Sequence, residues 1–272
     1  MTNTIMLIHG LWMTPSSWRN FRDFYETRGF KVITPYWPKE PVSIESLRRD
    51  PSVYNGVGLK EIVDHHERII RSLPESPILI GHSFGGLIVQ LLLDRGLGQA
   101  GVAIDSAPPR GILVLPPAAV KVASYVLRDP RKYNGTSMLT FEQFQYAFAN
   151  TLDEEEARIV YERDAVPTPG RPMFQAAFAA FNPRSESVVD LRNDRRAPLL
   201  LTGGTLDHAA PAELSRKNFE LYRNSKAITA YKEFSGRSHL IVAEQGWQEV
   251  ADYSISWVQK VLSRFDTNRR IA

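Results

Sequence analysis

The feature that most constrains this chain is the pentapeptide Gly81-His82-Ser83-Phe84-Gly85. It lies between an unbroken apolar run at residues 77–81 and an almost wholly apolar segment at residues 87–93. A short apolar run bounded by turn residues reads as a strand buried on both faces, and the segment after it as a helix packed deep against a sheet. A serine on the sharp turn between the two sits in strained backbone geometry, and side chains two residues to either side would collide with the neighbouring strand and helix. Gly81, Gly85 and Gly86 meet that demand. The context predicts a nucleophile at Ser83, while His82 is expected to point elsewhere and pack beside the sheet.

The surrounding pattern is that of a parallel sheet flanked by helices. Residues 5–8 read as a strand ending at His9-Gly10. Trp18, Phe21 and Phe24 then recur at helical spacing, with Ser16 or Ser17 to cap the helix and Gly29 to stop it. Strands follow at 31–35, 77–81 and 102–104, the last ending at Asp105, and a long polar connection occupies 38–58 ahead of a helix from Leu59 to Leu73. From Gly111 the strand-like runs give way to helical segments rich in alanine and aromatics, with capping boxes expected at Thr140 to Gln143 and Thr151 to Glu154. Alternation resumes with strands at 199–202 and 227–234 and helices at 211–222 and 247–265. The expected fold class is α/β, a mostly parallel sheet of about six strands. Residues 1–111 and 191–272 form its core domain, and 112–190 form an inserted helical cap.

A serine hydroxyl is a poor nucleophile at neutral pH and needs a base within hydrogen-bond reach. His239 lies in a loop after the final strand, which would return it over the carboxyl edge of the sheet. The acid that orients such a base belongs at a strand's carboxyl end. Asp207 satisfies this and directly precedes the strand leading to His239; Asp105 also ends a strand and is its rival, with Asp194 a weaker one. An oxyanion hole needs two preorganised donors. One is expected from the Phe84 amide at a helix N-terminus, where the dipole favours an anion. The other is expected from the Leu11 amide, with Trp12 next, in the His9-Gly10 loop.

His9-Gly10, the elbow from Gly81 to Gly85, Asp207 and His239 in that order, and an insertion after Asp105 together resemble the α/β-hydrolase superfamily from end to end. Gly-His-Ser-Phe-Gly-Gly resembles its esterase, lactonase and cofactor-free perhydrolase branches. The resemblance implies hydrolysis of a carboxylic ester, thioester or lactone of a small, largely apolar substrate through an acyl-enzyme, with the cap walling the pocket. Phe144, Phe148, Phe174 and Phe178 are the expected substrate-facing aromatics. Carbon-carbon bond hydrolysis, hydroxynitrile cleavage, perhydrolysis or a triad-bearing receptor are the alternatives on the same fold. The chain departs from many members in starting almost at the strand before His9-Gly10 and in its long 38–58 connection.

Composition narrows the rest. The 272 residues suit one large domain, and with no cysteine a thiolate nucleophile or metal site is excluded. Formal net charge is +3 from 33 basic and 30 acidic residues spread along the chain, which argues against a nucleic-acid surface. No apolar run approaches the roughly 20 residues that span a bilayer, and the start carries no signal-peptide pattern, so a cytoplasmic protein is expected. Asp64-His65-His66-Glu67 lacks the i, i+4 histidine pair of zinc helices and reads as a solvated helix face. No dinucleotide or phosphate loop is present, so no cofactor and no metal are expected, and the partner is a small-molecule substrate.

Overall fold

The computed structural model describes residues 2–40, 43–113 and 115–271, with side chains as far as Arg264. The chain runs β1 (Thr4–Ile8), α1 (Arg19–Glu26), β2 (Lys31–Ile33), α2 (Ile44–Arg49), α3 (Leu59–Ser72), β3 (Ile78–His82), α4 (Phe84–Asp94) and β4 (Ala100–Ile104). After β4 come α5 (Pro117–Leu127), β5 (Thr136–Ser137), α6 (Phe141–Ala147), α7 (Glu154–Asp164), β6 (Thr168–Pro169) and α8 (Arg171–Ala177). The core resumes with β7 (Leu199–Gly204), α9 (Ala212–Leu221), β8 (Thr229–Phe234) and α10 (Trp247–Ile271).

Six strands form one parallel sheet in the order β2-β1-β3-β4-β7-β8. Alternating side chains explain why the inner strands β1, β3, β4 and β7 are largely apolar, while the edge strands β2 and β8 carry polar residues. Met6, Ile8, Leu79, Leu199 and Leu201 enter the buried cluster under α3 and α4. Ile5, Leu7, Ile78, Ile80 and Leu200 enter the one under α1 and α10. The chain leaves β1 toward β2 on one side, while β3 pairs on the other. Loops that follow β1 and β3 therefore diverge and leave a crevice at the carboxyl edge, where ligands of open α/β sheets bind. Ile8 pairs with Gly81, so the His9-Gly10 loop and the Ser83 turn leave the sheet at the same level.

Several local expectations shift by a few residues. The second strand stops at Ile33, the fourth begins at Ala100, and the strand from Leu199 continues to Gly204. Thr14 caps a 3-10 turn ahead of α1, in place of Ser16 or Ser17. The box at Thr140 and Gln143 forms. The second box is Asp153 with Glu156, not Thr151 with Glu154, because the Asp153 carboxylate takes the Glu156 amide at 2.8 Å. Thr151 instead donates to Glu244 Oε2 at 2.7 Å.

Of the residues between β4 and β7, Phe144, Phe148 and Val166 lie in the same buried cluster as Met6 and Leu79. The long connection before α3 helps hold this stretch. Arg48 on α2 donates to the carbonyls of Glu162 and Ala165 at 2.8 and 2.7 Å, supplying donors that the C-terminus of α7 lacks within the helix. Arg19 pairs with the buried Asp164 at the end of the same helix. No described helix is long and apolar enough to cross a membrane.

Candidate active site

Ser83 links β3 to α4 with φ 56° and ψ −122°, a backbone conformation uncommon outside glycine. Its amide donates to the Ile104 carbonyl at 2.9 Å, and its carbonyl accepts from Gly86 and Ala107 at 3.0 Å each. Close approach enforces the flanking glycines: a Cβ at Gly81 would lie 2.1 Å from the Gly85 carbonyl oxygen, and one at Gly85 2.0 Å from that of Ile8. Gly10 is equally confined, since a Cβ there would meet the Ser83 Cβ at 2.7 Å and its Oγ at 3.2 Å. The loop expected to supply oxyanion donors thus abuts the serine, with Leu11 and Trp12 buried beside it and Phe84 opening α4.

That loop is braced from two sides. Trp12 has φ 61°, and its carbonyl accepts the Val166 amide of the inserted segment at 3.0 Å. His9 stacks on Trp37 with ring centroids 4.9 Å apart, and its Nε2 lies 3.2 Å from Glu40 Oε2. Glu40 is buried and also accepts the Trp37 amide at 2.7 Å. The long 38–58 connection therefore carries a buried carboxylate to the loop beside Ser83. Nothing in the spacing of Glu40 marks it for that place.

His239 sits in the loop after β8, and its Nδ1 donates to Asp207 Oδ2 at 2.6 Å. Asp207 Oδ1 accepts the amides of Ala209 and Ala210 at 2.7 and 2.8 Å. Burial pushes the Asp207 carboxyl up, but the His239 charge and hydrogen bond, together with the Ala210 amide, hold it below the usual carboxylate range. Asp105, the rival acid, lies in the same closed cluster but makes no hydrogen bond to His239; Asp194 instead receives the Lys226 amide at 2.6 Å, away from the site. His82 does not merely pack beside the sheet. Its ring lies 4.6 Å from that of His239, and burial pushes its pKa down to about 3, so it stays neutral beside the base.

Glu244 escapes sequence reasoning altogether, because its role depends on a loop folding back. It accepts the Ser238 amide at 3.0 Å and the Ser238 hydroxyl at 2.7 Å, and so sets the backbone that carries His239. Phe148 stands edge-on to the His239 ring at 4.8 Å.

A cavity of about 400 Å³ opens above these groups, lined by Ser83, His239, Trp12 and Phe84 from the core and by small residues of the inserted segment such as Ala177 and Ala180. The expected aromatic walls are not there. None of Phe144, Phe148, Phe174 and Phe178 lines the cavity. Phe144 and Phe148 stack on each other in the core, whereas Phe174 and Phe178 stack near Tyr133. Helical spacing locates an apolar face but does not say whether a core or a cavity lies beneath it. Among the described residues of the 112–190 segment, Phe181 is the aromatic that lines the cavity, beside Trp12 and Phe84 from outside it.

The ligating atoms of Asp105, Asp207 and His239 lie within 4.8 Å of one another, close enough to surround a cation. The Asp207 oxygens are nevertheless taken up by two amides and the imidazole, so hydrogen bonding explains the cluster. The helix face at Asp64 to Glu67 is only partly solvated. Asp64 and Glu67 both pair with Arg95, but His66 is fully buried with Nδ1 2.8 Å from the Ile62 carbonyl, and burial lowers its pKa to about 3.

Fold and site together define a parallel α/β protein whose open carboxyl edge presents a strained serine, a histidine and an aspartate beneath a helical segment. A model of the alpha/beta hydrolase family matches residues 5–253, and the chain belongs to that family. A monoacylglycerol lipase of Paleococcus ferrophilus superposes with a TM-score of 0.65 at 22% identity, covering 94% of this chain and 93% of that one. An extracellular α/β-hydrolase from a Paenibacillus species gives 0.65 at 20% identity over 93% and 98%. Tomato methylketone synthase I gives 0.69 at 15% identity over 96% and 99%. At these identities the likeness concerns the fold. No curated protein matches the chain in sequence.

Proposed function

We propose that this protein is a serine hydrolase cleaving a carboxylic ester, thioester or lactone of a small, largely apolar substrate through an acyl-enzyme on Ser83. One observation carries the reading: Ser83 and His239 face a cavity whose other lining side chains, Arg110 apart, are apolar. The shared fold with a monoacylglycerol lipase is in keeping with ester chemistry. His239 Nε2 is buried and bonds no described protein group, which leaves it able to take the Ser83 hydrogen.

In this mechanism the Ser83 oxygen bonds to the substrate carbonyl carbon as its proton passes to His239 Nε2. The Asp207 carboxylate holds the other ring hydrogen and stabilises the resulting cation. Negative charge gathers on the former carbonyl oxygen, facing the amides of Phe84 and of Leu11 or Trp12. Collapse breaks the bond to the leaving oxygen or sulfur, which takes the proton from His239. Water then repeats the sequence, with His239 as base, and releases the acid and Ser83.

Steady turnover on a panel of esters, thioesters and lactones, with diketone, cyanohydrin and peroxide-dependent assays beside them, tests this reading. Turnover confined to diketones or cyanohydrins would replace it, and stoichiometric binding without turnover would favour a receptor.

Alanines on the cavity wall predict where chain-length preference resides. Ala177→Leu and Ala180→Leu should each lower kcat/KM for the longest acyl ester accepted by about tenfold or more while sparing the acetyl ester, since one methylene in an apolar pocket is worth roughly 1–3 kcal/mol. Phe144→Ala should leave the chain-length ranking intact and instead destabilise the fold by about 3–5 kcal/mol. An unchanged ranking in both alanine variants would show that the wall lies elsewhere.

A further inference from the structure

Asp105 is a buried acid that the mechanism above does not use. It follows β4, next to the strand that leads to Asp207, and is wholly inaccessible to solvent. Its φ is 44°, a conformation few residues other than glycine adopt, and asparagine and aspartate most often among those. Strain of this kind persists where the surroundings demand it. Oδ1 accepts the Gly204 amide at 3.1 Å, whereas Oδ2 is buried and receives no N–H or O–H.

We propose that Asp105 is a positioning residue which, as a neutral carboxylic acid, donates its hydrogen to the Asp207 carboxylate and thereby holds the acid that orients His239. The inference rests on the serine-hydrolase reading of the site. Two carboxylates this close and this deeply buried repel each other, which favours a proton on one of them. Donor counts decide which: Asp207 receives three hydrogens, from Ala209, Ala210 and His239, against one for Asp105, from Gly204. A carboxylate offers about four lone-pair sites, and the Asp105 hydrogen would fill the last on Asp207.

The charged and titratable groups facing Asp105 favour the same assignment. Asp207 follows β7, and Glu244 and His239 lie in the loop after β8; Tyr231 comes from β8 itself, and His82 ends β3 beside His239. No described lysine or arginine is within ion-pair distance of Asp105; Arg237 in the His239 loop directs its guanidinium to Glu249. Burial first, and then the Asp207 charge, raise the Asp105 carboxyl well above the usual range.

The site thus asks for one acceptor, toward Gly204, and one donor, toward Asp207. Asparagine supplies both; alanine supplies neither. Asp105→Ala should lower kcat on the best ester by about 10- to 100-fold, and Asp105→Asn should restore it to within about threefold of the parent. The acid limb of the kcat/KM profile should move by less than about half a pH unit in Asp105→Asn. Were Asp105 ionised, removing its charge would weaken the imidazolium, carry that limb down by about one unit or more and overturn the proposal. Equal activity in the alanine and asparagine variants would overturn it too.

A readout independent of turnover separates this proposal from the functional reading. In protein carrying carboxyl-13C aspartate, the resonance lost in Asp105→Asn should sit at the protonated position at pH 7. Finding it at the ionised position would refute the neutral acid. A parent without any acyl turnover would refute the hydrolase reading and leave this measurement standing.

Discussion

Ser83→Ala will lower kcat/KM on the best ester by about 10⁴-fold or more while leaving the melting temperature within a few degrees of the parent. The size follows from the chemistry. Without the hydroxyl no acyl-enzyme can form, and only substrate binding and the oxyanion donors remain to assist direct attack by water. The small effect on stability follows from the geometry, since alanine retains the Cβ already accommodated at φ 56° and the backbone bonds to Ile104, Gly86 and Ala107 are unchanged. A fluorophosphonate should label the parent once, on the peptide containing Ser83, and leave the variant unlabelled. Label on another residue, or near-parental turnover by the variant, would remove Ser83 from the centre of the mechanism.

Asp207→Asn is the second large effect, a fall in kcat of about 10⁴-fold in a folded protein. The neighbouring amides dictate the reason. Ala209 and Ala210 both donate to Oδ1, so an asparagine must keep its carbonyl there and turn its NH₂ toward His239. Nδ1 of the imidazole then has to accept, which places the ring hydrogen on Nε2, where it cannot take a proton from Ser83. His239→Ala should be at least as damaging. A mild Asp207→Asn coupled with a crippling Asp105→Asn would transfer the orienting role to Asp105.

The fold was legible to the extent that it depends on local pattern. Apolar runs such as 77–81 announce strands buried on both faces, because a strand with no polar face has nowhere else to go. The turn at Ser83 was equally plain, since residues 81, 85 and 86 must do without a Cβ wherever helix and strand approach so closely. His239 and the two rival acids, Asp207 and Asp105, could be assigned to loops at the carboxyl ends of parallel strands, but pattern alone did not choose between the acids. Capping boxes were readable only in part. Thr151 and Asp153 offer overlapping signals, and a tertiary contact with Glu244 settled which of them begins α7.

What tertiary structure decided were contacts between residues far apart in the chain. Glu40 meets His9, Arg48 meets the end of α7, and Glu244 folds back on Ser238. None of these has a sequence signature, because a buried carboxylate and a solvated one look alike until the surrounding surface is known. The cavity wall shows the same limit. Phe144 and Phe148 carry helical periodicity as strong as any pocket lining, yet they face the core while Ala177 and Ala180 face the cavity. Periodicity reports that a face is covered, and only packing determines whether protein or substrate covers it. Local chemistry written into the sequence thus named the strands, the elbow and the candidate serine, histidine and acids. The three-dimensional arrangement set which carboxyl bonds the imidazole and which side chains shape the space above it, because both depend on distances that no spacing along the chain encodes.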